Sequence, residues 1–265
     1  MNVHYRGRPF KSISLTFLVV VIFTIYCNGQ TIIGVADYMK VDNIPEYLEL
    51  EKQWQQIHKQ RLKEGEIVGW AAYQIMFKTL EDPYNFITVS WYDSFSKVVK
   101  KVSDETIQAV FPDMAKDDID AFHKKTEETR TRVQSGVFHQ LITCANGLDR
   151  QGKFYVVNEI KVKQGKSRDL LKIYDEIYRP LYEEDVRQNN RTVWSLWEKW
   201  EGNKKDFQYL SADGYSSLDQ IEQVNYLDYF NKIHPDKNVS EISAEVEELR
   251  ELVSTEMWKL ILRAH

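Results

Sequence analysis

The sequence predicts an α+β fold built twice: two tandem ferredoxin-like β-α-β-β-α-β repeats whose sheets pair within one chain. Three observations predict it. The order of apolar runs and turns over residues 35–145 returns over residues 155–265. Anchors recur at near-constant offset: Gly69-Trp70 against Val193-Trp194, Tyr92-Asp93-Ser94-Phe95 against Tyr215-Ser216-Ser217-Leu218, and Phe111-Pro112-Asp113 against His234-Pro235-Asp236. Within each half, strand-like alternation and helical spacing follow one another in the same order. A register shared over such a length requires both copies to have one fold.

In the first copy, 35–41 alternates as a strand. Tyr47, Leu50, Trp54, Ile57 and His58 then recur at helical spacing across 44–62, and Gly65 closes that helix as a C-terminal glycine does. β-Branched and aromatic content predicts strands at 68–77 and 85–92 around a turn with Asp82-Pro83. A polar helix near 116–131 and a strand at 133–143 complete the β-α-β-β-α-β unit. The second copy repeats it with a strand at 155–162 and a helix carrying Leu170, Leu171, Tyr174, Ile177, Tyr178, Leu181 and Tyr182. Strands at 192–200 and 207–214, a helix near 243–252 and a strand at 254–263 follow. The expected organisation is a leader at 1–29, a first repeat at 30–146, a linker at 147–153 and a second repeat at 154–265. The short, turn-rich linker implies that the repeats pack against each other.

The leader carries Arg6, Arg8 and Lys11 without an acid, then an apolar stretch over 15–26 ending at Cys27-Asn28-Gly29-Gln30. That pattern reads as a secretory signal peptide, shorter than the roughly 20 residues of a membrane helix, and predicts a secreted or periplasmic protein starting near Gln30. Lipidation at Cys27 is the rival reading, although Tyr26 stands where such sites want a small residue. Without the leader, 32 basic residues face 40 acidic ones, a net charge near −8, which argues against nucleic acid as a partner. Cys144 is then the one remaining cysteine. No internal disulfide is available, and the core alone must stabilise the fold. Cys144 itself reads as a buried apolar thiol. Asn190-Arg191-Thr192 and Asn238-Val239-Ser240 match the short glycan-acceptor pattern.

On this element order, and on the pairs Trp70 with Trp194 and Tyr92 with Tyr215, the chain resembles the dimeric α+β-barrel superfamily over nearly its whole mature length. The resemblance implies a barrel whose halves here come from one polypeptide. Members of that superfamily include cofactor-free monooxygenases, haem-degrading and haem-peroxidase enzymes, dehydratases, isomerases and non-catalytic ligand binders, so membership alone selects no reaction.

Strand alternation sorts the sheet faces. The reading puts Ile87, Val89 and Trp91 under the helices, matched by Leu210, Ala212 and Gly214. Phe86, Thr88, Ser90 and Tyr92, matched by Tyr209, Ser211, Asp213 and Tyr215, then face the other sheet. Met39, Val41, Ile160 and Val162 fall on the helix side, with Tyr38, Lys40, Glu159 and Lys161 opposite. Phe138, Ile142, Trp258 and Leu262 form core, and Val137, His139, Leu141, Met257, Lys259 and Ile261 point inward. With the Trp70 set inward, Trp70, Gln74, Trp194 and Glu198 join a pocket of apolar walls and few polar groups between the sheets.

The expected occupant is a small apolar or aromatic molecule, and the resemblance makes a cofactor-independent oxygenase or isomerase the compatible reaction class. His139, Glu198 and Asp213 are the candidate bases. Glu198, Asp213 and Glu159 are expected to cluster and raise one another's pKa, the alternative being neutralisation by Lys40, Lys161 and Lys259. The competing reading is a non-catalytic structural or protein-interaction module with a filled barrel. No motif demands a cofactor: metal-ligand spacing, phosphate loop, GxSxG and CxxC patterns are absent. Haem would need an axial ligand, and neither His123 nor His139 is marked as one. Whether a further protein chain is a partner stays open.

Overall fold

The computed structural model describes residues 32–145, 152–202, 204–222 and 226–265. The predicted leader and most of the predicted linker lie outside the described residues. Eight antiparallel strands close a barrel in the order β1-β3-β2-β8-β5-β7-β6-β4. The first unit contributes β1 (Ile33–Lys40), β2 (Gly69–Ile75), β3 (Phe86–Tyr92) and β4 (Thr131–Ala145). The second contributes β5 (Phe154–Val162), β6 (Val193–Glu201), β7 (Tyr209–Tyr215) and β8 (Arg250–Ala264). Each last strand pairs with the first strand of its own unit and the second strand of the other, β4 with β6 and β8 with β2. These two seams turn a pair of four-stranded sheets into one barrel.

The predicted main helices form. α1 (Ile44–Lys63) starts at Asn43, whose side chain accepts from the Glu46 amide, and ends before Gly65 at φ +69°, a conformation a side chain would strain. Its buried face carries Tyr47, Leu50, Trp54, Ile57 and His58. Between β3 and β4 lie α2 (Phe95–Val98), α3 (Asp104–Val110) and α4 (Lys116–Thr129). The first two were not expected from the sequence, being too short for a helical period to show.

In the second unit α5 (Ser167–Ile173) passes through one π-helical turn, Tyr174–Tyr178, into α6 (Arg179–Arg187). Pro180 follows directly and offers no N–H to the carbonyl one turn back; the wider turn absorbs the lost bond. α7 (Asp219–Glu222), α8 (Tyr226–Ile233) and α9 (Val239–Leu249) complete the cover. α9 stops at Leu249, and β8 begins earlier than the expected strand.

The barrel interior is a packed apolar core of side chains from both units, among them Tyr38, Tyr73, Ile87, Val89, Phe138, Val157, Leu210 and Trp258. This reverses several predicted faces. Ile87, Val89 and Trp91 face inward, opposite Leu210 and Ala212 of the other unit. Phe86, Tyr92 and Tyr209 instead pack in clusters beneath the helices, and Thr88, Ser90, Ser211, Asp213 and Tyr215 share their face by alternation. Trp70 and Trp194 likewise lie under helices, while Tyr73 and Trp197 take the interior. The physical reason is that β2, β3, β7 and the first half of β6 are buried on both faces, so apolar alternation carries no sign of direction.

The last strands fail for a different reason. Phe138 and Trp258 are interior, whereas Ile142 and Leu262, four residues on, pack outside. The register shifts between Gln140 and Ile142 on β4, and between Leu260 and Leu262 on β8 where it meets β2. One extra residue at each bulge inverts the alternation beyond it. Ile261, at the bulge itself, packs in an outer cluster, and so does Val137, which alternates with the interior Phe138; neither points inward as expected. The inward placement of Tyr38 and the helix-side placement of Met39, Val41, Ile160 and Val162 agree with the sequence reading. Cys144 is buried, and burial, with the nearby Glu183 second, pushes its thiol up to about 12.

Ile87 is fully buried in the interior. Ile87→Ala should lower stability by about 2–5 kcal/mol in urea denaturation; a loss within about 0.5 kcal/mol, as at an exposed position, would contradict its burial.

Candidate functional site

The π turn sets Tyr174, Tyr178 and Tyr182 along one face of the second-unit helix. Tyr182 stacks on Trp194 at 4.4 Å between centroids and Tyr178 on Tyr182 at 6.0 Å. Trp194 is fully buried, and its Nε1 donates to Ser211 Oγ at 3.0 Å. α6 ends at Arg187, Asn189 just beyond it takes φ +62°, and this turn brings Arg191 beneath the helix just before β6.

Arg191 is fully buried. Its Nη1 meets Asp213 Oδ1, its Nη2 donates to the Tyr226 hydroxyl, and Nη2 lies 3.6 Å from Asp185 Oδ2. The guanidinium rests over the rings of Tyr182, Tyr215 and Tyr226 at 4.4, 5.4 and 5.7 Å. One desolvated cation thus carries two carboxylates and three ring faces. Its Nε has no acceptor. Burial raises the Asp185 carboxyl above its ordinary range against the pull of Arg191. Burial likewise raises the phenols of Tyr182, Tyr215 and Tyr226, keeping them protonated at neutral pH.

Beside this cluster lies a cavity of about 450 Å³ between the outer face of the β5 and β7 strands and the helices above. Tyr178, Tyr182, Tyr215, Tyr226, Phe230, Leu181, Ile221, Val239 and Ile242 make its aromatic and aliphatic walls; Asn158, Ser243 and Asp213 supply polar groups. Asp213 is the one charged residue of the lining among the described residues. A mostly apolar concavity with few placed polar groups is the usual form of a small-molecule site. A larger cavity, about 620 Å³, lies between α1, α3 and His265. Its lysines, Lys59 and Lys63, are exposed and no buried polar cluster stands behind it, so size does not decide between the two.

The structure brings four predicted residues to this region: Asp213 and Tyr215 in the lining, Trp194 and Ser211 in the sheet beneath. The others are dispersed. Trp70, Gln74, Ser90 and Tyr92 lie on the outer face of the first unit. Tyr38 is interior, edge-on to Tyr84 at 5.0 Å. Lys40 donates to the Leu80 and Asp82 carbonyls, Lys161 is exposed, and Lys259 sits opposite Gln74 on the outer face.

The predicted carboxylate cluster does not form. His139 and Glu198 are opposite each other at the β4–β6 seam on the outer face, with His139 edge-on to Trp200 at 6.1 Å. Glu159 is interior, bonded by Ser254 at 2.8 Å and raised by burial and then by Glu256. Glu198 and Asp213 are four strand positions apart in register, too far to repel strongly.

Arg191, Asp185 and Tyr226 escaped the sequence reading, Arg191 being taken only as the middle of a glycan-acceptor pattern. The signal was present in the repeat register, where Ile67 stands for Arg191 and Arg61 for Asp185. In the first unit, Trp54, His58 and Trp70 occupy the places of Tyr178, Tyr182 and Trp194, with His58 stacked on Trp70 at 4.6 Å. There Arg61 pairs with Glu66 at 3.0 Å. Leu50, Trp54 and Ile57 of α1 pack directly on Ile107, Ile119 and Phe122.

The sequence matches no protein-family model and no curated protein. Among solved structures it is similar to a monooxygenase candidate of Fusobacterium nucleatum subsp. nucleatum, with a TM-score of 0.57 and 12% identity over 89% of this chain and 94% of that one. A monooxygenase candidate of Lactobacillus acidophilus NCFM gives 0.51 and 9% over 89% and 96%. At these identities the likeness is one of fold, the dimeric α+β barrel, here closed within one chain.

Arg191→Met leaves Asp185 and Asp213 without their cation and should cost about 3–5 kcal/mol in urea denaturation; adding Asp185→Asn should return part of the loss. Burial, then Arg61, holds the His58 imidazole well below its usual range. A folded pKa below the unfolded value of about 6.5 gives stability present above that pH and lost as pH falls toward the folded value. Denaturation midpoints should fall below about pH 6.5 in the wild type, with a shallower slope in His58→Phe.

Proposed function

We propose that this chain is a small-molecule-binding α+β barrel whose ligand, a compact apolar or aromatic compound, occupies the second-unit cavity, outside the barrel rather than between the sheets. The observation that carries the reading is an aromatic-walled cavity of about 450 Å³ set against the buried Arg191, Asp185 and Asp213 cluster. Buried charge is expensive to keep in a fold, and here its exposed edge is the carboxylate that lines the cavity. Asp213 is the group positioned to accept a hydrogen bond or a proton from the occupant. General acid–base chemistry of that kind serves isomerases and cofactor-independent oxygenases, the reaction class this reading favours.

The competing structural reading draws support from the packed interior between the sheets, which leaves no role there for a ligand. It gives no account of the hollow in the second unit. The reading also takes residues 1–29 as an export leader and the two units as copies of one ancestral repeat; the leader predicts a mature N-terminus near Gln30.

Native mass spectrometry of the mature protein from its own compartment, before and after unfolding, tests the proposal. A small molecule should be retained, be released on unfolding, and be missing from Ser243→Trp, which places an indole at the cavity rim. Bare protein in both cases would favour the structural module.

A further inference from the structure

We infer that the occupant of the second-unit cavity is an organic ammonium compound, a protonated primary or secondary amine on a compact apolar or aromatic skeleton. This rests on the reading of the cavity as a ligand site and names the chemistry that the site selects. The argument is one of charge as seen from the cavity. Asp213 lines it with its side chain about a tenth exposed, whereas Arg191 behind it is wholly covered. Arg191 is also opposed by the fully buried Asp185, whose Oδ2 lies 3.6 Å from Nη2. Two carboxylates against one guanidinium leave the cluster negative, and the negative edge faces the empty space. An anionic ligand would meet Asp213 first and be repelled; an ammonium N–H donates to it.

The walls point the same way. Aromatic ring faces attract cations, and the rings here already hold one, since Arg191 rests on three of them. Tyr178 and Phe230 line the cavity without carrying that guanidinium. The phenols stay protonated, adding no charge of their own. The aliphatic wall of Leu181, Ile221 and Ile242 suits the uncharged end of the same molecule.

Three probes of one skeleton and three charges separate the possibilities: 2-phenylethylamine, 2-phenylethanol and phenylacetate, titrated calorimetrically into the mature protein. The amine should bind at least about tenfold tighter than the alcohol, a difference of about 1.4 kcal/mol, and phenylacetate weakest. Asp213→Asn should bring the amine to within about threefold of the alcohol. Should that variant fail to fold, Ser243→Trp, at the rim and away from the charge cluster, should weaken all three probes together. Equal binding of amine and alcohol overturns the ammonium assignment and leaves the ligand site standing. Tightest binding by phenylacetate overturns it in favour of Arg191 as the recognising group. No binding of any probe overturns it too, and with no molecule retained in native mass spectrometry the ligand site falls as well.

Discussion

Everything in this structure depends on the two seams where one unit's final strand hydrogen-bonds to the other unit's second strand. A four-stranded sheet ordered 4-1-3-2 has two open edges, and unpaired edges are a liability. Pairing β4 with β6 and β8 with β2 removes all four at once. Closure also gives the sheet an inner face filled from both units and an outer face over which the helices pack. The inner face is committed to packing, because Tyr38, Phe138, Leu210 and Trp258 from opposite sheets meet there. Both cavities described above lie outside that packed interior.

That same closure explains what could be read in advance. Element type and order followed from local periodicity, and both were right for all eight strands and the main helices. Facing was harder. Tyr38 and Glu159 were placed correctly on first strands free of ambiguity about which side the following helix lies. On β3 and β7 both faces are buried along nearly the whole strand, so Ile87 and Phe86 gave equal claims to either side. On β4 and β8 the bulges near Leu141 and Ile261 broke the alternation itself. Asp213 and Tyr215 were singled out for their chemistry and do line the cavity, although the face assigned to them was argued as the opposite one. Arg191 was missed because its partners come from α6, β7 and α8, a convergence that no sequence spacing announces.

The two units solve the same packing problem with different residues. Trp54, His58 and Trp70 in one and Tyr178, Tyr182 and Trp194 in the other hold similar stacked geometry. In the first unit α3 and α4 press onto that stack with Ile107, Ile119 and Phe122. In the second, α8 and α9 also pack on the helix through Phe230, Val246 and Leu249, beside the cavity that Tyr178 and Tyr182 line, and Arg191 is buried where the repeat register puts Ile67. Because both halves belong to one polypeptide, each unit's packing is encoded by its own residues, and the two need not match.

The seams also fix when the molecule can become whole. β2 is made early, yet its partner β8 spans Arg250–Ala264 at the far end of the described chain. Synthesis proceeds at about 5–20 residues per second, so β2 waits on the order of ten seconds or more for its mate to be translated. Through that interval the nascent first unit carries an unmet strand edge, and such edges invite wrong pairings between neighbouring chains. A holding factor acting during translation would therefore have its greatest effect before the fifteen-residue β8 emerges.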